Sequence, residues 1–131
     1  MNSATTLRSI LGALALSAIA TGAWAQEMIT VPSEEGVAAT EVPADAIVVN
    51  IDKMKYDQPE LTIKAGDTVY WINNEVMPHN VAFKKGVVEE GEFRGDMLGK
   101  NEAYAITFNE AGSFDYFCTP HPFMRGKVIV E

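Results

Sequence analysis

Cysteine is the scarcest chemistry in this chain: Cys118 is the only one among 131 residues, and histidine occurs only twice, as His79 and His121. A single thiol closes no intramolecular disulfide. In an oxidising compartment it is a liability, half of an intermolecular bridge, or a metal ligand. Basic charge is scarce too, with ten Lys and Arg against eighteen Asp and Glu, a formal net charge of −8. That balance argues against nucleic acid and against anionic lipid as partners. No glycine-rich phosphate loop, nucleophile elbow or paired-histidine zinc helix is present, so no enzyme class is predicted. A sustained helical period, an internal repeat and low-complexity sequence are absent as well.

Long apolar runs are also missing. The longest, Ile10 to Ala20, is shorter than the roughly 18 residues a spanning helix needs. Arg8 precedes it and Ala23-Trp24-Ala25 follows, the layout of a secretory signal cleaved before Gln26. No twin-arginine pair is present, which points to export of the unfolded chain and metal loading afterwards. The expected organisation is therefore a leader over residues 1–25 and one periplasmic domain over 26–131, monomeric and not inserted in a membrane. Loss of Arg8 with the leader takes the net charge from −8 to −9.

The domain reads as short strands parted by turn signals, an all-β antiparallel sandwich. The expected strands are Ala46–Ile51, Glu60–Lys64, Thr68–Asn73, His79–Phe83, Ala103–Phe108, Phe114–Cys118 and Lys127–Val130, with Trp71 in the core. Residues 26–45, with Pro32, Pro43 and several acids, are expected to add at most an extra edge strand at the N-terminus. Residues 84–101 hold four glycines among charges of both signs and are expected to form a solvated connection.

Against this background the stretch Cys118-Thr119-Pro120-His121-Pro122-Phe123-Met124 stands out, because a thiol, an imidazole and a thioether recur at every third residue. Singly, each has a plainer explanation: a buried small residue, a core histidine, a methionine filling space. Together they offer the soft donors of a blue-copper centre, provided a second imidazole arrives from elsewhere, and His79 is the one available. A His₂Cys set could also hold zinc with an open fourth position. The thioether at Met124 favours copper.

His79-Asn80, the run Phe114-Asp115-Tyr116-Phe117-Cys118 and the exit Gly126-Lys127-Val128 resemble the cupredoxins, small blue-copper proteins. The two-residue spacings in Cys-Thr-Pro-His-Pro-Phe-Met resemble the amicyanin family within them. The resemblance implies a Greek-key β-sandwich and one type 1 copper. Its ligands would be His79, Cys118, His121 and the axial Met124. It implies an electron carrier, with a periplasmic quinoprotein amine (methylamine) dehydrogenase as donor and a c-type cytochrome as acceptor. Alternatives are a pseudoazurin-like donor to another reductase, such as a nitrite reductase, and a copper storage or delivery protein. Asn80 would give its backbone N–H to the thiolate and tie its strand to the ligand loop at Thr119. Pro120, having no N–H, would leave the sulfur without a second amide from that position. Met77, Pro78, Pro120, Pro122 and Phe123, joined by Met54 and Met97, would form an apolar docking patch around the edge of His121. Arg94, Lys55 and Arg125 would steer the partner.

Overall fold

The computed structural model describes residues 27–131, so the expected leader lies outside the described residues. These fold into β1 (Ile29–Thr30), β2 (Val37–Ala38), a 3-10 turn (Ala39–Glu41), β3 (Ile47–Asp52), β4 (Lys55–Tyr56), β5 (Glu60–Ile63) and β6 (Thr68–Asn73). Then come β7 (Ala82–Phe83), β8 (Phe93–Arg94), β9 (Glu102–Phe108), β10 (Gly112–Phe117) and β11 (Arg125–Val130). One sheet runs β1-β9-β6-β3-β4 with β2 also on β9, and the other runs β5-β11-β10-β7-β8. The result is a Greek-key β-sandwich.

Period-2 alternation explains which side chains face inward. In β6, Val69, Trp71 and Asn73 are buried while Thr68, Tyr70 and Ile72 are half-buried. In β9 the same face carries Ile106 and Phe108. In β10 it carries Phe114 and Tyr116, and the next inward position is Cys118. Trp71 from one sheet meets Tyr116 from the other edge-on, with ring centroids 5.3 Å apart, so the aromatic core lies directly beneath the thiol.

Five features differ from the sequence expectation, the first being β4, a short strand paired with β3 where none was expected. Two pairings are parallel, β3 with β6 and β5 with β11, since side-chain alternation is the same for either strand direction. The N-terminal segment adds two short strands, both antiparallel to β9, in place of at most one. Strand β7 is confined to Ala82–Phe83, and His79 lies ahead of it in an isolated bridge to Leu98. Residues 84–101 are more than a solvated connection. β8 pairs with β7, Gly95 N–H donates to Val81 O at 2.9 Å, and Leu98 is wholly buried. A glycine is needed at 95 because a Cβ there would lie 2.7 Å from the Val81 carbonyl oxygen. No helix among the described residues is long and apolar enough to cross a membrane.

Candidate metal centre

The β10–β11 hairpin pairs Phe117 with Arg125, which makes Cys118 and Met124 the next opposed residues at its open end. Both side chains are buried. The loop between them is closed by three backbone hydrogen bonds. Cys118 N–H donates to Met124 O at 3.2 Å, His121 N–H to Cys118 O at 3.3 Å, and Met124 N–H to His121 O at 2.9 Å. Pro120 and Pro122 fix φ on either side of His121 and remove two donors that would otherwise need partners. A seven-residue segment thus folds tightly around one imidazole.

His79 reaches the same point from the segment ahead of β7. It is held on both sides of its peptide, His79 N–H to Leu98 O at 3.2 Å and Leu98 N–H to His79 O at 2.8 Å. Asn73, buried at the end of β6, donates its amide to Met77 O at 2.9 Å and to Leu98 O at 2.8 Å, fixing the loop that leads into His79. Three donor atoms converge. The Cys118 Sγ lies 3.7 Å from His79 Nδ1 and 3.6 Å from His121 Nδ1, and all three lie within 4.8 Å of one another. His79 is fully buried, whereas His121 is half-buried.

The surroundings favour a stable thiol position. Burial pushes the Cys118 thiol up, against the opposing pull of the backbone amides of Asn80 and His121. The amide pull comes from Asn80 and His121, while Pro120 has no N–H to offer. Asn80 Oδ1 accepts from Thr119 N–H at 2.8 Å and from Thr119 Oγ1 at 3.2 Å, joining the His79 strand to the ligand loop as the sequence suggested. Its Nδ2 donates to Gly95 O at 3.2 Å, and Tyr56 OH donates to Asn80 O at 2.7 Å.

One contact had no signal in the sequence. Glu75 Oε1 is hydrogen-bonded to His79 Nε2, on the far side of the ring from Cys118. Desolvation raises the Glu75 carboxyl, but hydrogen bonds from His79 and from the amides of Met54 and Lys53 outweigh it and hold the group below its usual range. Only the four-residue spacing of Glu75 and His79 could have suggested the contact, and in a loop that spacing carries no geometric meaning.

The donor set fits copper. A thiolate, two imidazoles and a nearby thioether are the donors copper prefers, and their spacing suits a single ion: bonds of about 2.3 Å to sulfur and 2.0 Å to imidazole, the zinc values, would put sulfur and nitrogen roughly 3.7 Å apart, as these atoms are. A model of the copper-binding proteins of the plastocyanin/azurin family matches residues 43–131. The chain belongs to that family. Within this copper-binding family, an amicyanin from Paracoccus versutus is 74% identical over 132 residues, covering 100% of both chains. The crystal structure of amicyanin from Paracoccus versutus superposes with a TM-score of 0.79 at 75% identity, covering 81% of this chain and all of that one. A mutant amicyanin solved with Cu(I) superposes with a TM-score of 0.78 at 60% identity, covering 79% of this chain and 99% of its own. As a member of this family the chain is a blue-copper electron carrier of the amicyanin type and not an enzyme.

Several residues expected at a docking surface are exposed, and Phe123 among them lies beside His121, with ring centroids 6.2 Å apart. Phe123 is 70% exposed and Met77 49%, and Met97, Pro78, Pro120 and Pro122 are also exposed. Val76, next to Met77 in the chain, is 80% exposed and was missed because a lone valine in a polar loop gives no sequence signal. Met54 is only half-buried. Lys53, Lys55 and Arg125 line a groove beside Phe123 and Met124.

Proposed function

We propose that His79, Cys118, His121 and Met124 hold one type 1 copper in a single domain spanning residues 26–131, which remains once residues 1–25 have directed export to the periplasm and been cleaved. The donor is a quinoprotein amine (methylamine) dehydrogenase and the acceptor a c-type cytochrome, each docking transiently on the monomer. The observation that carries the ligand reading is the convergence of two imidazole Nδ1 atoms on the buried Cys118 sulfur at 3.6 and 3.7 Å. The leader is supported by the charged, apolar and small-residue sequence at 8–25.

When bound, copper supplies a one-electron couple between Cu(II) and Cu(I). The protein's part is to keep its donors still while charge changes. Opposed strand ends hold Cys118 and Met124, the Leu98 bridge holds His79, and the closed, proline-flanked loop holds His121. Little then has to reorganise on transfer. A full set of backbone and side-chain restraints suits a carrier better than a storage protein, whose donors must open to release metal. His121, the half-buried imidazole, is the shorter way out for an electron, and the apolar residues around it exclude water from a docked partner.

A small transient contact depends on a few exposed side chains. Phe123→Glu is therefore expected to slow bimolecular electron uptake from a quinoprotein amine dehydrogenase at least tenfold, equal to about 1.4 kcal/mol of docking free energy. The visible spectrum should not change. Stopped-flow mixing with the reduced donor measures this. An unchanged rate would move the contact away from Phe123, to the charged rim or residues 84–101.

A further inference from the structure

The bridge that carries His79 has little strand behind it. His79 lies outside β7, which is only two residues long, and its partner Leu98 sits between β8 and β9 in a segment with no strand of its own. Two loop segments joined by one pair of hydrogen bonds open readily unless something restrains them from behind. On one side that restraint is the Asn73 amide. On the other it is the N-terminal segment, which the sequence suggested only as an edge strand. Gly36 N–H donates to Asp96 Oδ2 at 2.9 Å and Ala39 N–H donates to Asn101 O at 2.8 Å, so the 95–101 segment is stitched near both ends to the same stretch of chain. Between the stitches the backbone of Gly36 lies against Leu98, where a Cβ would fall 2.9 Å from Leu98 Cδ2. Asn101 adopts positive φ, 63°, and donates its N–H to Asn73 O at 2.7 Å, a left-handed conformation that a non-glycine residue keeps when its neighbours fix it. The stretch is itself anchored. β1 and β2 pair with β9, and the Asn109 side chain donates to Glu27 O at 3.0 Å and to Thr30 Oγ1 at 2.9 Å.

We propose that residues 29–39 form a strap that holds the 95–101 segment against His79, and with it the exposed Met97, Gly36 and Asp96 being its positioning residues. Met97 lies between Asp96, which the strap grips, and Leu98, on which the strap rests. The same contacts therefore fix a residue of the exposed apolar surface relative to the buried imidazole. That the bridge serves a metal rests on His79 being a copper ligand, whereas the bracing does not. A carrier gains from it directly, because a donor that shifts with the charge slows each transfer.

Hydrogen exchange, followed residue by residue in ¹H–¹⁵N spectra of the Cu(I)-loaded protein and of the metal-free protein in parallel, tests this. Asp96 is exposed, so its replacement removes a hydrogen bond and leaves the core intact. In Asp96→Ala the amides of His79 and Leu98 should exchange about fivefold faster than in the wild type, the loss expected of one hydrogen bond. Amides of the β10–β11 pair should keep their rates. Asp96→Asn, which loses the charge but keeps an acceptor, should restore the wild-type behaviour. Gly36→Val, which sets a side chain against Leu98, should speed the same two amides at least about tenfold and shift the Leu98 methyl resonances. Unchanged rates at His79 and Leu98 in Asp96→Ala or in Gly36→Val would overturn the proposal. So would acceleration spread evenly over the sandwich, or an Asp96→Asn variant as fast as Asp96→Ala. The two readings fail separately: a wild type without a blue band refutes the ligand set, and the exchange rates of the metal-free protein still decide the strap.

Discussion

Cys118→Ala is expected to abolish the blue absorption of the copper-loaded protein while leaving the fold in place. The thiol is wholly buried at the end of the aromatic core, so loss of one sulfur atom leaves a small cavity and costs about 1 kcal/mol in the metal-free state. The effect on metal binding is far larger, because the thiolate is the single anionic donor of the set. The same residue sets the pH dependence of loading. Burial raises the Cys118 thiol above its ordinary range, so at neutral pH the metal-free protein carries that proton and must release it when copper binds. Affinity should therefore rise about tenfold per pH unit from pH 7 to 8, and the dependence should flatten only above the raised thiol value. Copper titration in weakly buffered indicator dye should record one proton released per copper in the wild type and none in Cys118→Ala. A variant that kept the blue band, or the same proton release, would remove Cys118 from the centre.

Gly126→Ala is expected to cost the metal-free protein about 3 kcal/mol, at the upper end for overpacking a filled core. Gly126 faces Tyr116 across the β10–β11 pair, and a Cβ there would fall 2.2 Å from the ring Cζ and 2.3 Å from the hydroxyl oxygen. The ring has nowhere to go. Tyr116 is packed edge-on between Tyr56, at 4.8 Å, and Trp71, at 5.3 Å, and is almost wholly buried. Since Tyr116 lies two residues before Cys118 and Gly126 two after Met124, the displaced strands should also disturb the open end of the hairpin. Urea unfolding measures the change, and a loss below about 1 kcal/mol would mean that the strands separate freely at this point.

What the sequence made legible follows from how local each feature is. β6 begins and ends where its alternation does, at Thr68 and Asn73, because one face is buried along its whole length. The Cys118, His121 and Met124 cluster is visible because its spacing is short and the loop belongs to a single hairpin, and His79 followed because no other histidine exists to complete the set. Features made by distant residues were hidden. The segment around the buried Leu98 reads as a glycine-rich connection, and only its bridge to His79 makes it part of the centre. Glu75 and Val76 sit in a loop without periodicity, where neither the contact to His79 nor the exposure of the valine has a local cause. Parallel pairing of β3 with β6 is likewise a matter of topology, on which side-chain alternation is silent.

The most direct measurement is an absorption titration of the metal-free protein with Cu(II). One equivalent should produce an intense blue charge-transfer band from the Cys118 thiolate, saturating at one copper per chain, and the band should vanish on reduction and return on reoxidation. A colourless or weakly coloured complex, a stoichiometry other than one, or bound zinc that copper fails to displace would contradict a type 1 centre built from His79, Cys118, His121 and Met124.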